Sequence, residues 1–407
     1  TSGWEYTDTA DVVEHYDAQG RLQYVRNRAG LTHTVTYDAQ FRPQRVTDSY
    51  GRTLEFTYDP ATGYLASFKD PLNQPYTFEH DSLGNLTRIR YPDSHTRQYH
   101  YGDLNYRYQL TGITDERGVE VSTWTYDHQG RVKAHEMAGG VGRYTFRYGK
   151  DQTTEIDPLG AERTFEYERI FGRLYLRRIT QLCTSCGGMS ADTFYDSRGL
   201  IREQRDFRGV PTRYQRDDRG MVTQKIEAYG TPLARTTDTT WHPQWYLPTV
   251  IVQPSADGTQ TTTLTYDPEG NLERRSVNAG GLVREWSYTY NGDGQTLTMD
   301  GPRTDVSDVT TYTYDAQGNR ATMRDAVGNE TRFLTHDAAG RVLTMRDANG
   351  VLTEMTYSPR GWLLTRTVRA NADGTPNAAD AITQMDYEAS GDEKRVIQPD
   401  GVAMEYC

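Results

Sequence analysis

The sequence predicts an all-β fold in which tandem β-hairpins of about 22 residues join into one continuous spiralling sheet. Three observations favour this fold. A Tyr-Asp motif recurs along the chain at intervals of 19 to 30 residues, most often 21 to 25. The segments between the motifs alternate polar and apolar residues, as strands do. The 54 Thr and 30 Tyr are strand-forming residues, whereas Leu, Ile, Val and Phe together number only 68 of 407, too few for a thick core.

The repeated motif is Tyr-Asp-x-x-Gly-(Arg/Asn)-(Leu/Val), and its residue types are those of a tight turn. Asp hydrogen-bonds the backbone two residues further on, and Gly adopts the positive φ that closes a short hairpin loop. Histidine replaces the tyrosine at His80 and His336. We therefore predict structural turns at the following residues: Tyr16, Asp17, Gly20, Tyr126, Asp127, Gly130, Tyr195, Asp196, Gly199, Tyr266, Asp267, Gly270, Tyr314, Asp315, Gly318, Asp337 and Gly340.

Each unit contains a second turn, Asp-x-x-Gly, near its middle, for example at residues 48–51 and 325–328. Five to seven residues of alternating pattern separate the two turns, so one unit is strand, turn, strand, turn. About seventeen such hairpins fill the chain. We predict a single array over residues 1–407, with irregular loops near 181–191, 241–257 and 368–381.

The number of strands favours a spiral over other β architectures. Roughly thirty-four strands in meander order exceed the ~10 that a twisted open sheet usually holds. A propeller would repeat its signature about every 40 residues, once per four-stranded blade. Here the signature recurs with every hairpin. In the resulting single-layer spiral, the tyrosines of successive units are expected to stack on one another as cross-strand pairs.

Charge and hydropathy exclude several classes of protein. The net charge of −11 argues against a nucleic-acid-binding face and against binding to anionic membranes. No run approaches the ~18 apolar residues of a membrane-spanning helix. Residues 1–20 show no signal peptide and begin within the repeat pattern, which indicates a piece of a longer chain. The strand edges of such a piece would favour self-association.

No set of catalytic residues stands out, so neither an enzymatic activity nor a cofactor is predicted. Cys183 and Cys186 form one Cys-x-x-Cys without the second pair of ligands that structural zinc needs. A loop disulfide or inert thiols are favoured over a metal site shared with distant histidines and over a redox site. Glycoside hydrolysis and Ca²⁺ binding are two further interpretations of the turn carboxylates. Because these carboxylates recur in every unit, capping of their own turns is the better interpretation.

The motif resembles a known family. The Tyr-Asp repeats with Gly-Arg-Leu, together with Thr240-Trp241-His242-Pro243 and Leu247-Pro248-Thr249, resemble the RHS (YD) repeat proteins of proteobacteria. The resemblance implies a hollow β-sheet cocoon, or part of one, that encloses the C-terminal toxin of a secreted polymorphic toxin. It also implies secretion or delivery to the cell surface, with secretion machinery or a chaperone as a partner. Related shells occur in insecticidal toxin complexes and in teneurins.

One feature of the family is not matched. In the family, paired Asp-Pro-x-Gly motifs supply the aspartates of an autoprotease that releases the toxin. The two matches here, at 157–160 and 267–270, lie 110 residues apart on ordinary repeat turns. The chain therefore reads as a non-enzymatic structural shell segment without the autoprotease or toxin segments. The alternative is a cell-surface adhesin or carbohydrate-binding repeat array.

Overall fold

The computed structural model describes residues 3–181, 189–256 and 258–406, and the predicted all-β fold is confirmed. These residues form 36 strands, β1 to β36, and each strand pairs antiparallel with the next one along the chain. The helical structure in the described ranges consists of one 3₁₀ turn, Ala138–Gly140. None of the described residues forms a helix with the length and apolarity that a membrane crossing requires.

The strands are short and follow one another through tight turns. Strands β1 to β12 span Trp4–Thr7, Val13–Tyr16, Leu22–Arg26, Thr32–Tyr37, Pro43–Asp48, Thr53–Tyr58, Leu65–Lys69, Pro75–His80, Leu86–Arg90, Thr96–His100, Gly112–Thr114 and Glu120–Tyr126. Strands β13 to β24 span Val132–Met137, Val141–Gly149, Gln152–Ile156, Glu162–Ile170, Arg173–Gln181, Met189–Tyr195, Ile201–Arg205, Pro211–Arg216, Val222–Glu227, Arg235–Trp241, Pro248–Ser255 and Gly258–Tyr266. Strands β25 to β36 span Leu272–Ala279, Leu282–Tyr290, Thr296–Asp300, Thr310–Tyr314, Arg320–Arg324, Glu330–His336, Val342–Arg346, Leu352–Tyr357, Leu363–Val368, Ala381–Tyr387, Glu393–Ile397 and Ala403–Glu405.

The two kinds of turn lie on opposite rims of the sheet. Tyr-Asp turns follow even-numbered strands, from residues 17–21 to 388–392, and form what we call the Tyr-Asp rim. The other turns follow odd-numbered strands, from 8–12 to 398–402, and form the mid-unit rim. At most Tyr-Asp turns the pairing register shifts by one residue, as between Thr313 and Tyr314. Such a shift is a β-bulge, which strengthens the local twist of a sheet.

The two faces of the sheet differ in chemistry. On one face threonine hydroxyls pair across neighbouring strands at 2.7 Å, as in Thr289 with Thr298 and Thr313 with Thr322. The opposite face carries larger apolar side chains, which include cross-strand pairs such as Tyr312 with Met323 and Phe56 with Phe68. Alternation of side chains along each strand produces this division.

The sheet encloses little packed core. Among the described residues the buried hydrophobic side chains are Ala134, Met221, Leu352 and Val396. The accessible surface is 24457 Å². A compact monomer of 46.4 kDa would expose about 16,000 Å². The excess indicates a single-layer sheet with both faces open, in agreement with the shortage of aliphatic residues.

The irregular segments are shorter than the sequence suggests. In the predicted loop 241–257, strand β22 includes Trp241 and strand β23 begins at Pro248, which leaves residues 242–247 as the connection. Proline is compatible with this strand, because Pro248 and Pro254 lie near the two ends of β23, where a missing N–H disturbs the ladder least. The loop near 368–381 spans residues 369–380. Most of the loop near 181–191, with Cys183 and Cys186, lies outside the described residues.

Candidate functional site

The Tyr-Asp turn is a hydrogen-bonded unit centred on its aspartate. In the turn after β12, Oδ1 of Asp127 accepts hydrogen bonds from the backbone N–H groups of Gln129 (2.8 Å) and Arg131 (3.0 Å). The N–H of Gly130 donates to the carbonyl of Asp127 at 2.9 Å, with a φ of 75° at the glycine. Aspartate is preferred at this position because its short carboxylate reaches N–H groups that the turn leaves without partners.

The other turns named from the sequence have the same geometry. Each of their aspartates accepts a hydrogen bond from the N–H four residues on: Asp17, Asp196, Asp267, Asp315 and Asp337. Their glycines have φ values between 73° and 83°: Gly20, Gly199, Gly270, Gly318 and Gly340.

The tyrosine of the motif binds the preceding strand through its hydroxyl. The hydroxyl groups of Tyr126, Tyr195, Tyr266 and Tyr314 donate to the carbonyls of Leu110, Leu176, Pro248 and Thr296, at 2.5 to 2.9 Å. Tyr16 differs, because its hydroxyl donates to Glu14 instead.

Trp241 occupies a tyrosine position and donates its indole N–H to the carbonyl of Val222 at 2.8 Å. The tyrosine position therefore supplies a donor to a backbone carbonyl in or beside the preceding strand. Its recurrence identifies this position in the sequence but does not predict the donor.

Arginine, not a neighbouring tyrosine, covers the ring at several tyrosine positions. Arg131 donates from Nε to Oδ2 of Asp127 at 2.9 Å, and its guanidinium lies 4.3 Å from the ring centroid of Tyr148 in the next unit. Arg341 lies in the same way over Tyr357, at 4.7 Å. The expected stacking of tyrosines from successive units is wrong for the described residues, since no aromatic contact joins these positions. The arginine of each of these turns makes a cation–π contact with the tyrosine ring of the next unit.

The hydrogen bond from Arg131 also lowers the pKa of the Asp127 carboxyl group. It lowers the pKa of Asp127 to about 2, with the two backbone N–H donors acting in the same direction and desolvation opposing them. A carboxylate that accepts several hydrogen bonds is favoured in its charged form.

Contacts between distant residues show that the sheet coils back onto itself. Three hydrogen bonds join the mid-unit rim to the Tyr-Asp rim: Asp11 with Tyr246, Tyr50 with Asp293, and Glu116 with Arg360. The partners are 235, 243 and 244 residues apart. In each pair, twenty-one strands separate the turn that contains the first partner from the turn that contains the other. One coil therefore takes about twenty-one strands, and we call the line of contact between successive coils the seam.

The seam is closed at one point by a partly buried charge cluster. Arg360, whose side chain is 10% exposed, lies 3.5 Å from both Glu116 and Asp93. Its guanidinium lies 3.9 Å from the ring centroid of Tyr91 and donates to the carbonyl of Ala389 at 2.7 Å. Burial, reinforced by Glu116, raises the pKa of Tyr91 to about 12. The cluster joins side chains of the first coil to side chains of the second.

The turn carboxylates of the described residues are not grouped into a metal site. The described residues contain no group of three or more His, Cys, Asp or Glu side chains arranged to hold a metal ion. The turn aspartates already accept hydrogen bonds from their own backbone, as Asp127 does. The arrangement is suited to holding a large curved surface in shape.

A protein-family model and a curated protein match parts of this chain. The teneurin YD-shell family model matches residues 250–391. A curated relative, double-stranded DNA deaminase toxin A of Burkholderia cenocepacia (strain H111), is 31% identical over 196 residues, which cover 42% of this chain and 13% of the relative.

Two crystal structures share the fold. The TcdB2-TccC3-TEV structure has a TM-score of 0.66 at 15% identity, and the alignment covers 97% of this chain and 23% of that one. TcdB2-TccC3 without its hypervariable C-terminal region has a TM-score of 0.67 at 15% identity, covering 95% and 23%. The chain thus spans less than a quarter of the length of these proteins. The resemblance drawn from the Tyr-Asp motif is confirmed at the level of an RHS/YD-repeat shell.

Proposed function

We propose that this RHS/YD-repeat shell protein is a non-enzymatic segment of a cocoon that encloses the toxic C-terminal domain of its own parent chain. The observation that carries the proposal is the seam. A sheet that returns onto itself after about twenty-one strands bounds a space, whereas a flat array would not. The large accessible surface, 24457 Å², supports a hollow interior in place of a packed core.

The relatives support a toxin as the enclosed cargo. One relative is named as a DNA deaminase toxin, and one matching structure lacks a hypervariable C-terminal region. By analogy, the cargo of this chain is a polypeptide domain that follows the shell. The array itself contributes enclosure and no chemistry, because its recurring carboxylates cap turns.

Secretion and delivery complete the proposed role. A bacterium that carries a toxin benefits from a shell that keeps the toxin inactive until delivery to a competitor. Secretion machinery or a chaperone would handle the shell from outside, and copies would associate through strand pairing at exposed sheet edges. Neither nucleic acid nor membrane insertion is part of the proposed role of this segment.

The test is limited proteolysis of the complete protein from which this chain comes, compared with the same protein carrying Arg360→Met. We expect the toxin domain to resist protease in the unaltered shell and to become sensitive when the seam is weakened. Digestion of the toxin domain at the same rate in both proteins would contradict enclosure. Specific binding of the isolated chain to a defined glycan would instead favour an adhesin.

A further inference from the structure

A cavity of about 500 Å³ lies over strands β18 to β21, away from the seam. Its charged lining consists of Arg202, Arg205, Arg213 and Glu203, and the remaining walls combine three aromatic rings with one amide and one aliphatic side chain. Three arginines and one glutamate give the cavity a formal charge of +2, although the chain as a whole carries −11. The cavity is therefore a positively charged patch on an acidic protein.

The glutamate is shared between two arginines. Nε of Arg205 donates to Oε1 of Glu203 at 2.8 Å, and Nε of Arg213 donates to Oε2 at 2.7 Å. The Glu203 side chain is 10% exposed, and although burial opposes ionisation, the two arginines lower its pKa. Glu203 is therefore a fixed anion that positions both guanidinium groups while it balances the charge of only one.

Aromatic rings hold the same guanidinium groups in place. Arg205 lies 5.3 Å from the ring centroid of Phe194, and Arg213 lies 3.8 Å from that of Tyr229. The two arginine side chains are nevertheless 46% and 45% exposed. Within the described part of the chain, their terminal Nη groups have no hydrogen-bond partner. Stacking of this kind orients an arginine while leaving its outer N–H groups available.

We propose that this cavity binds an oxyanion, a phosphate or a carboxylate, between Arg205 and Arg213. Guanidinium groups recognise both ligands through paired N–H donors, and the excess positive charge supplies the attraction. Elsewhere in the sheet an ordinary cross-strand pair such as Arg45 with Glu55 joins one arginine to one carboxylate. This inference goes beyond enclosure and does not depend on what the shell contains.

The test is isothermal titration calorimetry of the chain with two probes, inorganic phosphate and N-acetylglutamate amide, at constant ionic strength in chloride buffer. We expect saturable 1:1 binding of at least one probe. Binding of phosphate alone identifies a phosphoryl group as the ligand, and binding of the glutamate probe alone identifies a polypeptide carboxylate. Binding of neither probe would overturn the proposal.

Variants decide whether binding occurs in this cavity. Arg213→Gln should weaken binding about tenfold or more, the value of one charged hydrogen bond. Arg208→Gln is the matched control, because Arg208 is 81% exposed on the adjoining turn and the change in net charge is the same. If Arg213→Gln fails to fold, Arg202→Gln replaces it, since no ion pair within the described ranges includes Arg202. Equal weakening by the cavity and control variants would show nonspecific attraction and refute the site.

Discussion

Gly318 meets two requirements at once, a positive φ and the close approach of another coil. Its φ is 73°, and a Cβ atom at this position would overlap the ring of Tyr50 from the first coil. Gly20 has a similar φ of 79° but no neighbour within 4 Å of the same position. The comparison separates backbone strain from crowding at the seam.

We predict that Gly20→Ala lowers the free energy of unfolding by about 1 kcal/mol, the usual cost of a left-handed alanine. Gly318→Ala should lower it further, because the Tyr50 ring must also move. Urea unfolding of the two variants measures the difference. Equal losses would mean that the turn containing Gly318 does not lie against the first coil.

Asp127 should show the acid titration of a hydrogen-bonded turn carboxylate. Its pKa in the folded chain is about 2, below the 3.8 of an unperturbed aspartate. Because folding lowers this pKa, the turn is stabilised above about pH 4 and loses that stabilisation as the pH falls towards 2. Carboxyl NMR should find the low value, and Arg131→Met should raise it while Gln129→Ala leaves it unchanged. An unchanged pKa in Arg131→Met would exclude the Nε hydrogen bond as its cause.

At the scale of the hairpin, the tyrosine hydroxyl ties each strand to its predecessor. The hydroxyl of Tyr314 donates to the carbonyl of Thr296 at 2.9 Å. We predict that Tyr314→Phe lowers the free energy of unfolding by about 1 kcal/mol, because one hydrogen bond is lost and the ring is kept.

Tyr312 provides the control from the same strand. Among the described residues its hydroxyl has no hydrogen-bond partner, and Arg320 covers its ring at 4.9 Å. Tyr312→Phe should therefore change stability by less than about 0.5 kcal/mol. If both tyrosine variants behave alike in chemical denaturation, the hydroxyl contact does not hold the hairpins together.

At the scale of the whole molecule, Arg360 should govern closure of the seam. Replacing it by methionine leaves Glu116, whose side chain is 1% exposed, with Arg97 as its remaining partner in the cluster. We expect a loss of about 3 kcal/mol, the lower end for removing one member of a buried ion pair. Hydrogen exchange should accelerate at turns 91–95 and 358–362 on either side of the seam.

Arg45→Met is the matched substitution at an exposed pair. Arg45 and Glu55 are 53% and 42% exposed, so removal of the pair should cost less than about 1 kcal/mol. Hydrogen exchange at turns 91–95 and 358–362 should not change. A global acceleration in either variant would show that the array unfolds as one unit, contrary to the nearest-neighbour coupling typical of repeat proteins.

The hairpin turns could be predicted from the sequence, whereas the contacts between coils at the seam could not. Asp127 and Gly130 indicate their turn because the chemistry of a hairpin loop lies within five residues. Tyr50 and Asp293 meet across 243 residues, and that meeting depends on how many strands complete one coil. The twist and bulges accumulated over the intervening strands set this number, and no single motif encodes it. The role of the tyrosine hydroxyl escaped prediction because its acceptor is a backbone carbonyl.

The distance between two labelled turns tests the coiled shell most directly. Spin labels would be placed at positions 29 and 269 in a chain whose cysteines are replaced by serine. Both positions lie on facing turns of the seam, because Arg28 and Glu269 line the same cavity. Double electron–electron resonance should then give a short distance, near the lower limit of the method. An uncoiled sheet would place the labels twenty-one strands apart, about 100 Å or more. A distance of that size, or a broad distribution reaching it, would contradict the closed spiral and the proposed enclosure.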